Sequence, residues 1–322
     1  MDIMLEVREL RKYFPITKGF FRREVGNVKA VDGVSLVVKR GETFGLVGES
    51  GCGKTTLGRC ILQVIPVTSG TTFFEGEKIS FSNNIRPKSL SAKMQAIFQD
   101  PYSSMNPRQK VKDIIAEPII IQGNRSKRQI DDRLHALYDL VGLKKEMGER
   151  YPHMLSGGEQ QRVCIARAMA VQPSFIVCDE PVSSLDVSIR AQIINLLESL
   201  QENHSVSYLF ISHDLSVVHH MSDTVAVMYL GKIVEISPKR ELYSNPLHPY
   251  TRALLSAIPI PDPALEKKRE RILIEGEVPS AVTVLPGCRF HPRCQYTQKP
   301  CTEEEPSLRE AKSRHWVACH LV

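Results

Sequence analysis

Nine consecutive residues carry the clearest chemistry in the chain: Gly48-Glu49-Ser50-Gly51-Cys52-Gly53-Lys54-Thr55-Thr56. A glycine, four residues, then Gly-Lys-Thr lets successive backbone N–H groups turn inward around a phosphate chain. Lys54 can reach the terminal phosphates, the Thr55 hydroxyl can meet Mg²⁺, and a following helix offers the positive end of its dipole to the anion. A second group closes Ser174–Glu180, an apolar run ending in Asp179-Glu180. Acids at the carboxyl end of a parallel strand face the ligand crevice. There Asp179 would hold Mg²⁺ through water, and Glu180 would orient or deprotonate an attacking water. A third group is Leu155-Ser156-Gly157-Gly158-Glu159. Ser156 suits a helix N-cap, and the glycines leave backbone N–H groups unshielded, so this helix start is a second anion site. One chain has no need of both sites, whereas two chains packed head to tail use both at once.

These groups require strand ends and helix starts held in register. Val34–Val38 and Thr43–Val47 read as strands, and a helix follows from about Lys54 to Val64. Residues 100–172 read helical. Ile130, Leu134, Leu137, Tyr138 and Val141 share one helix face, which Gly142 ends. Alternation then returns, with strands at Phe175–Cys178, Tyr208–Ile211 and Thr224–Tyr229. Ser188–Asn203 is an amphipathic helix with Ile189, Ile193, Leu196, Leu197 and Leu200 inward. The expectation is an α/β fold on a parallel sheet with an inserted helical block. Pro15–Lys29, with Lys18, Arg22, Arg23 and Lys29, reads as an exposed excursion. Prolines (among them Pro261, Pro263 and Pro279) and the charged run Glu266–Arg271 mark a smaller appendage from residue 246 onward.

The 322 residues, 42% hydrophobic and 24% charged, exclude disorder and collagen-like repetition. No run approaches the ~20 apolar residues that span a bilayer. Residues 1–6 lack the pattern of a secretory signal, so a cytoplasmic protein is expected. The net charge of +6 fits a mixed-sign surface better than a nucleic-acid interface. Four of the eight cysteines, Cys288, Cys294, Cys301 and Cys319, crowd the end with spacing C-x5-C-x6-C-x17-C. Tight C-x2–4-C zinc pairs and common ferredoxin spacings are both absent. Spacing alone therefore describes four thiols able to share one metal, with His291, His315 and His320 as alternates or decoys. Cys52, inside the glycine loop, reads as a small space-filler.

Taken together, Gly48–Thr56, Ser156–Glu159 and Asp179-Glu180 resemble the ATP-binding cassette of ABC transporters, over residues 5 to about 240. The resemblance implies a P-loop NTPase core of RecA-like α/β type at residues 1–245. A helical subdomain at about 100–172 and an extension at 246–322 complete it. Gln99 resembles the glutamine that meets Mg²⁺ and the attacking water, and His213 the histidine at the γ-phosphate. Asp186, in Ser184-Leu185-Asp186, resembles the loop that touches the partner cassette. Adenine would stack on Phe14 by spacing from Leu10, with Tyr13 the alternative. DNA-repair cassettes need hundreds of residues between the motifs, and translation-factor cassettes come in pairs; neither fits.

Asn245–Leu255, Gly276–Ser280 and Pro286-Gly287-Cys288 resemble the tail of oligopeptide and dipeptide importer ATPases, which nickel and some oligosaccharide importers share. Ser103–Arg108 and Pro181–Ser188 look like the second, F-type, ATPase subunit. The resemblance implies ATP and Mg²⁺ as ligands, a head-to-tail heterodimer with a homologous ATPase, and two membrane-spanning permease subunits. An extracytoplasmic solute-binding protein acts indirectly, no nucleic acid is involved, and the location is the cytoplasmic face of the membrane. It also implies a [4Fe–4S] cluster on Cys288, Cys294, Cys301 and Cys319, with zinc or free thiols as alternatives. The competing class is a soluble cassette outside transport, regulated through a metal- or redox-sensing tail.

Overall fold

A computed structural model describes residues 2–19, 23–79, 87–123, 126–259, 271–274, 276 and 285–322. Arg22, Pro261, Pro263, residues 266–270 of the charged run and Glu277–Ser280 lie outside the described residues. In chain order the elements that matter here are β1 (Ile3–Lys18), β2 (Arg23–Lys39), β3 (Thr43–Val47), α1 (Lys54–Ile61), β4 (Ser69–Phe74), β5 (Glu77–Ile79), α2 (Lys88–Lys93), β6 (Met94–Ile97), α3 (Val111–Gln122), α4 (Lys127–Val141), α5 (Gly157–Met169), β7 (Phe175–Asp179), α6 (Val187–His204), β8 (Ser207–Ile211), α7 (Leu215–Met221), β9 (Thr224–Tyr229), β10 (Lys232–Pro238), α8 (Lys239–Ser244), α9 (Pro249–Ser256), α10 (Lys299–Glu303), β11 (Arg309–Lys312) and β12 (His315–Val317). They fall into two compact units.

The first unit holds residues 1–4, 39–42 and 81–211. Its strands β6, β7 and β8 pair in parallel, with Met94 opposite Phe175 and Phe175 opposite Ser207. Every residue of β7 and β8 is buried, which is why both read as continuous apolar runs rather than alternating ones. The helical block supplies α3, α4 and α5. Leu134, Leu137, Tyr138 and Val141 bury one face of α4, and Gly142 ends it in the left-handed conformation. Ser126 caps its start in a reciprocal box with Gln129. On α6 the buried residues are Ile193, Ile194, Leu197 and Leu200, so the inward stripe includes Ile194, while Ile189 and Leu196 stay half-exposed.

The second unit holds residues 5–38, 43–80 and 212–322. An antiparallel sheet runs β2-β1-β4-β5, and a second series runs β11-β12-β10-β9-β3. The described residues of Pro15–Lys29 are exposed or half-buried, as expected of an excursion, but they are the outer parts of two long strands: β1 continues to Lys18 and β2 begins at Arg23. Strand hydrogen bonds satisfy that polar stretch without a core on both faces. β3 pairs in parallel with β9, Phe44 opposite Thr224. Among the described residues the C-terminal region builds no sheet of its own. Its hairpin β11–β12 adds to the edge of β10 with Ile236 opposite Trp316. Among the described residues no helix is long and apolar enough to cross a membrane.

Candidate functional site

In the second unit, β3 is buried throughout and releases the chain into the glycine loop before α1. Gly53 closes the loop at φ +108°, where a Cβ would sit 2.0 Å from the Ala30 carbonyl oxygen, so only glycine fits. Lys54 is buried, and its ammonium donates to the carbonyl oxygens of Gly48 at 2.7 Å and Glu49 at 2.9 Å. The lysine is thus already aimed along the loop that would wrap a phosphate chain. The Cys52 thiol lies 3.7 Å from that ammonium, yet burial outweighs the lysine and raises its pKa. It is a neutral filler at ordinary pH. Ser50 and Gly51 are exposed at the loop tip, and Thr55 and Thr56 are half-buried in the first turn of α1.

Tyr13 and Phe14 differ in a way spacing could not show. The Tyr13 phenol donates to the Asp32 carboxylate, and burial followed by that bond raises its pKa to about 12. Phe14 is 39% exposed and carries Lys12 above its ring at 4.8 Å. His213 is exposed and stands next to Asp214, whose carboxylate caps α7 through the Ser216 and Val217 amides.

In the first unit, Asp179 closes β7 as a buried carboxylate. Glu180 follows at φ +50°, an uncommon conformation for this residue, fixed by its N–H donating to the Ile211 carbonyl at 2.9 Å. Its carboxylate accepts from the Gln99 amide at 3.1 Å. The structure therefore brings together Gln99, from the end of β6, and Glu180, from the end of the neighbouring strand. Asp186 is exposed at the start of α6.

Ser156 caps α5 in a reciprocal box. The Glu159 amide donates to its hydroxyl, while the Glu159 carboxylate accepts from the Ser156 N–H and Oγ–H, both at 2.8 Å. These bonds, the backbone one first, lower the Glu159 pKa. Gly157 is exposed, but Gly158 is a packing requirement: a Cβ there would lie 2.6 Å from Ile189 Cγ2. The two glycines, alike in sequence, do different work.

All eight cysteines are free. The terminal four lie within electrostatic reach of one another. Burial first, then Cys319, Cys301 and Cys294, raise the Cys288 thiol to about 11. Burial, with Cys294 and Cys301 among the further causes, also raises Cys319. Among the described residues no group of three or more His, Cys, Asp or Glu side chains is arranged to hold a metal ion. The candidate histidines are used elsewhere. His291 bonds the Cys288 carbonyl, His320 the Glu304 carbonyl, and His315 the buried Glu235 carboxylate at 2.6 Å.

Sequence reasoning missed the residues that hold the site from far along the chain. Tyr250 accepts the Glu49 N–H at 2.9 Å, Arg293 pairs with the Glu49 carboxylate at 2.8 Å, and Arg289 pairs with Asp32. No local spacing could signal partners 244 positions apart.

Each unit carries one part of this chemistry, the second a strand–loop–helix with a buried lysine and the first a Gln99–Glu180 pair. Residues 31–183 match the ABC transporter family, and residues 234–301 match the C-terminal region of oligopeptide/dipeptide transporters. The chain belongs to the ABC transporter family, as an ABC-type ATPase. It is 50% identical to the oligopeptide transport ATP-binding protein AppF of Bacillus subtilis (strain 168), over 99% of this chain and 98% of that one. It is 46% identical to the dipeptide transport ATP-binding protein DppF of Escherichia coli (strain K12), over 99% and 94%. Among solved structures it resembles the dimeric post-hydrolysis state of the ATP-binding cassette MJ0796 bound to ADP and Pi. The TM-score there is 0.64 at 25% identity, covering 74% of this chain and 99% of that one.

Proposed function

We propose that this chain is the ATP-hydrolysing subunit that powers import of oligopeptides or dipeptides. It works beside a second, homologous ATPase and two membrane-spanning permease subunits at the cytoplasmic face of the membrane. One observation carries the reading: the likeness to oligopeptide and dipeptide transport ATP-binding proteins runs through the whole length, C-terminal region included.

The residues divide the work. Gly48–Thr56 cradle the phosphates, and Lys54 exchanges two loop carbonyls for phosphate oxygens when ATP arrives. Phe14, with its exposed ring, stacks on adenine, while Tyr13 is tethered by its phenol. Thr55, Gln99 and Asp179 offer hard oxygen donors, the set that suits Mg²⁺. Bound there, Mg²⁺ would neutralise charge on the transferring phosphoryl group. Glu180 directs the attacking water in line, the Gln99 amide fixes its carboxylate, and His213 senses the γ-phosphate. Ser156, Gly157, Gly158 and Glu159 serve the partner's nucleotide, with Asp186 beside them. The Ser156 proton is spent on Glu159, so the anion meets chiefly the exposed amides at the α5 N-terminus.

The four terminal thiols are the candidate ligands of a [4Fe–4S] cluster. Support comes from their crowding at the end of the sequence and from Cys288 and Cys319, whose thiols burial and the neighbouring cysteines raise; the four side chains as placed form no ready cage, so iron would have to draw them together. A brown anaerobic preparation that bleaches on oxidation is expected; an iron-free, colourless one overturns the cluster.

The transport reading is tested by reconstituting the chain with its permease and ATPase partners in vesicles. ATP-dependent uptake of labelled di- and oligopeptides is expected. Intact ATPase activity without peptide uptake overturns the substrate assignment.

A further inference from the structure

A carboxylate in a phosphate loop is an electrostatic liability, because it repels the triphosphate that the loop must hold. Glu49 is such a residue, second in the loop. The fold answers it from the far end of the chain. The Arg293 guanidinium grips the Glu49 carboxylate with both prongs, at 2.8 and 3.2 Å, and also donates to the Tyr229 hydroxyl at 3.4 Å. Arg293 is 7% exposed and Glu49 24%, so the pair is only lightly screened by water. Tyr250 holds the Glu49 amide, and the Gly231 amide donates to the Cys52 carbonyl at 2.8 Å, so the loop is pinned by backbone and side chain together. Arg293 directly precedes Cys294 in the region that carries the four thiols.

We propose that Arg293 is a positioning residue for ATP, neutralising Glu49 and turning its carboxylate away from the phosphates. The C-terminal region is thereby an integral part of the nucleotide site. The inference rests on the reading that Gly48–Thr56 holds the ATP phosphates.

Isothermal titration of Mg–ATP into the full-length chain tests it, with thermal melting to confirm folding. Arg293→Ala is expected to raise the ATP Kd about tenfold, equivalent to about 1.4 kcal/mol. Glu49→Gln, which removes the liability, binds ATP at least as tightly as the wild type. The double variant Arg293→Ala/Glu49→Gln recovers to within about threefold of wild type, as charge neutralisation requires. A purely structural role predicts no recovery, and that result, or weaker binding by Glu49→Gln, overturns the proposal. Arg293→Lys keeps the charge without the fork and covers the case in which the alanine variant does not fold; its Kd lies between wild type and about tenfold weaker. Lys54→Ala separates the two levels. If it binds ATP normally, the loop is not the phosphate site. If it abolishes binding while Arg293→Ala leaves the Kd unchanged, only the inference about Arg293 fails.

Discussion

Glu235 is fully buried on β10, and its carboxylate accepts three hydrogen bonds: from the Leu247 amide at 2.7 Å, the His248 amide at 3.0 Å and His315 Nε2 at 2.6 Å. It joins β10 to the start of α9 and to the hairpin strand β12. Glu235→Ala strands all three donors away from water. Each buried orphan costs about 1–3 kcal/mol, so the loss is about 5 kcal/mol. That is comparable to the whole stability of a modest domain, about 5–15 kcal/mol. Glu235→Gln keeps the shape and one acceptor but turns an NH₂ toward a donor, and about 2 kcal/mol is expected. Trp316, the single tryptophan, sits in β12 beside His315 and reports on this joint. Urea unfolding followed by Trp316 fluorescence and by far-UV circular dichroism should coincide in the wild type. In Glu235→Ala the fluorescence transition should move to lower urea ahead of the dichroism. A Glu235→Ala midpoint within about 1 kcal/mol of wild type by both probes refutes the accounting.

Gly158→Ala should destabilise the first unit by about 1 kcal/mol despite alanine's better helix propensity, because the added methyl meets Ile189. Ile189→Ala in the same chain should return the benefit, read by thermal unfolding. His248 is buried, and desolvation lowers its pKa from 6.5 to about 4. The unfolded chain therefore takes up a proton below pH 6.5 that the native state refuses until about 4. Stability present above pH 6.5 is lost as the pH falls through that window, about 2 kcal/mol by pH 5. His248→Asn, which keeps an acceptor for the Tyr250 amide that caps α9, should flatten the pH dependence of the unfolding midpoint between pH 7.5 and about 5. Equal pH slopes in the two proteins would contradict the assignment.

The positions of Lys54, Asp179 and Ser156 in the fold were legible because each sits at the end of an element whose pattern is local. The apolar run before Asp179 and the glycines before Lys54 announce themselves within a few positions. The α/β class followed from the same alternation, and the full-length relatives and solved cassettes agree with it. What escaped was non-local. The outer parts of β1 and β2, up to Lys18 and from Arg23, have no apolar alternation to reveal them, since backbone pairing between neighbouring strands holds them. Nothing near Arg293 or Arg289 points to Glu49 or Asp32, because those partners lie 244 and 257 positions away along the chain. The separate tasks of Gly157 and Gly158 depend on where α6 packs, which two adjacent glycines cannot encode.

The role proposed for Glu180, whose carboxylate the Gln99 amide holds, is to direct the hydrolytic water. The direct test is Glu180→Gln in the chain assembled with its transport partners, measuring ATP binding and turnover on one preparation. The glutamine preserves the bond to Gln99 but has no charge with which to draw a proton. ATP affinity should stay within about twofold of wild type while hydrolysis falls at least about 100-fold. Hydrolysis at the wild-type rate by a complex that binds ATP normally would contradict the account.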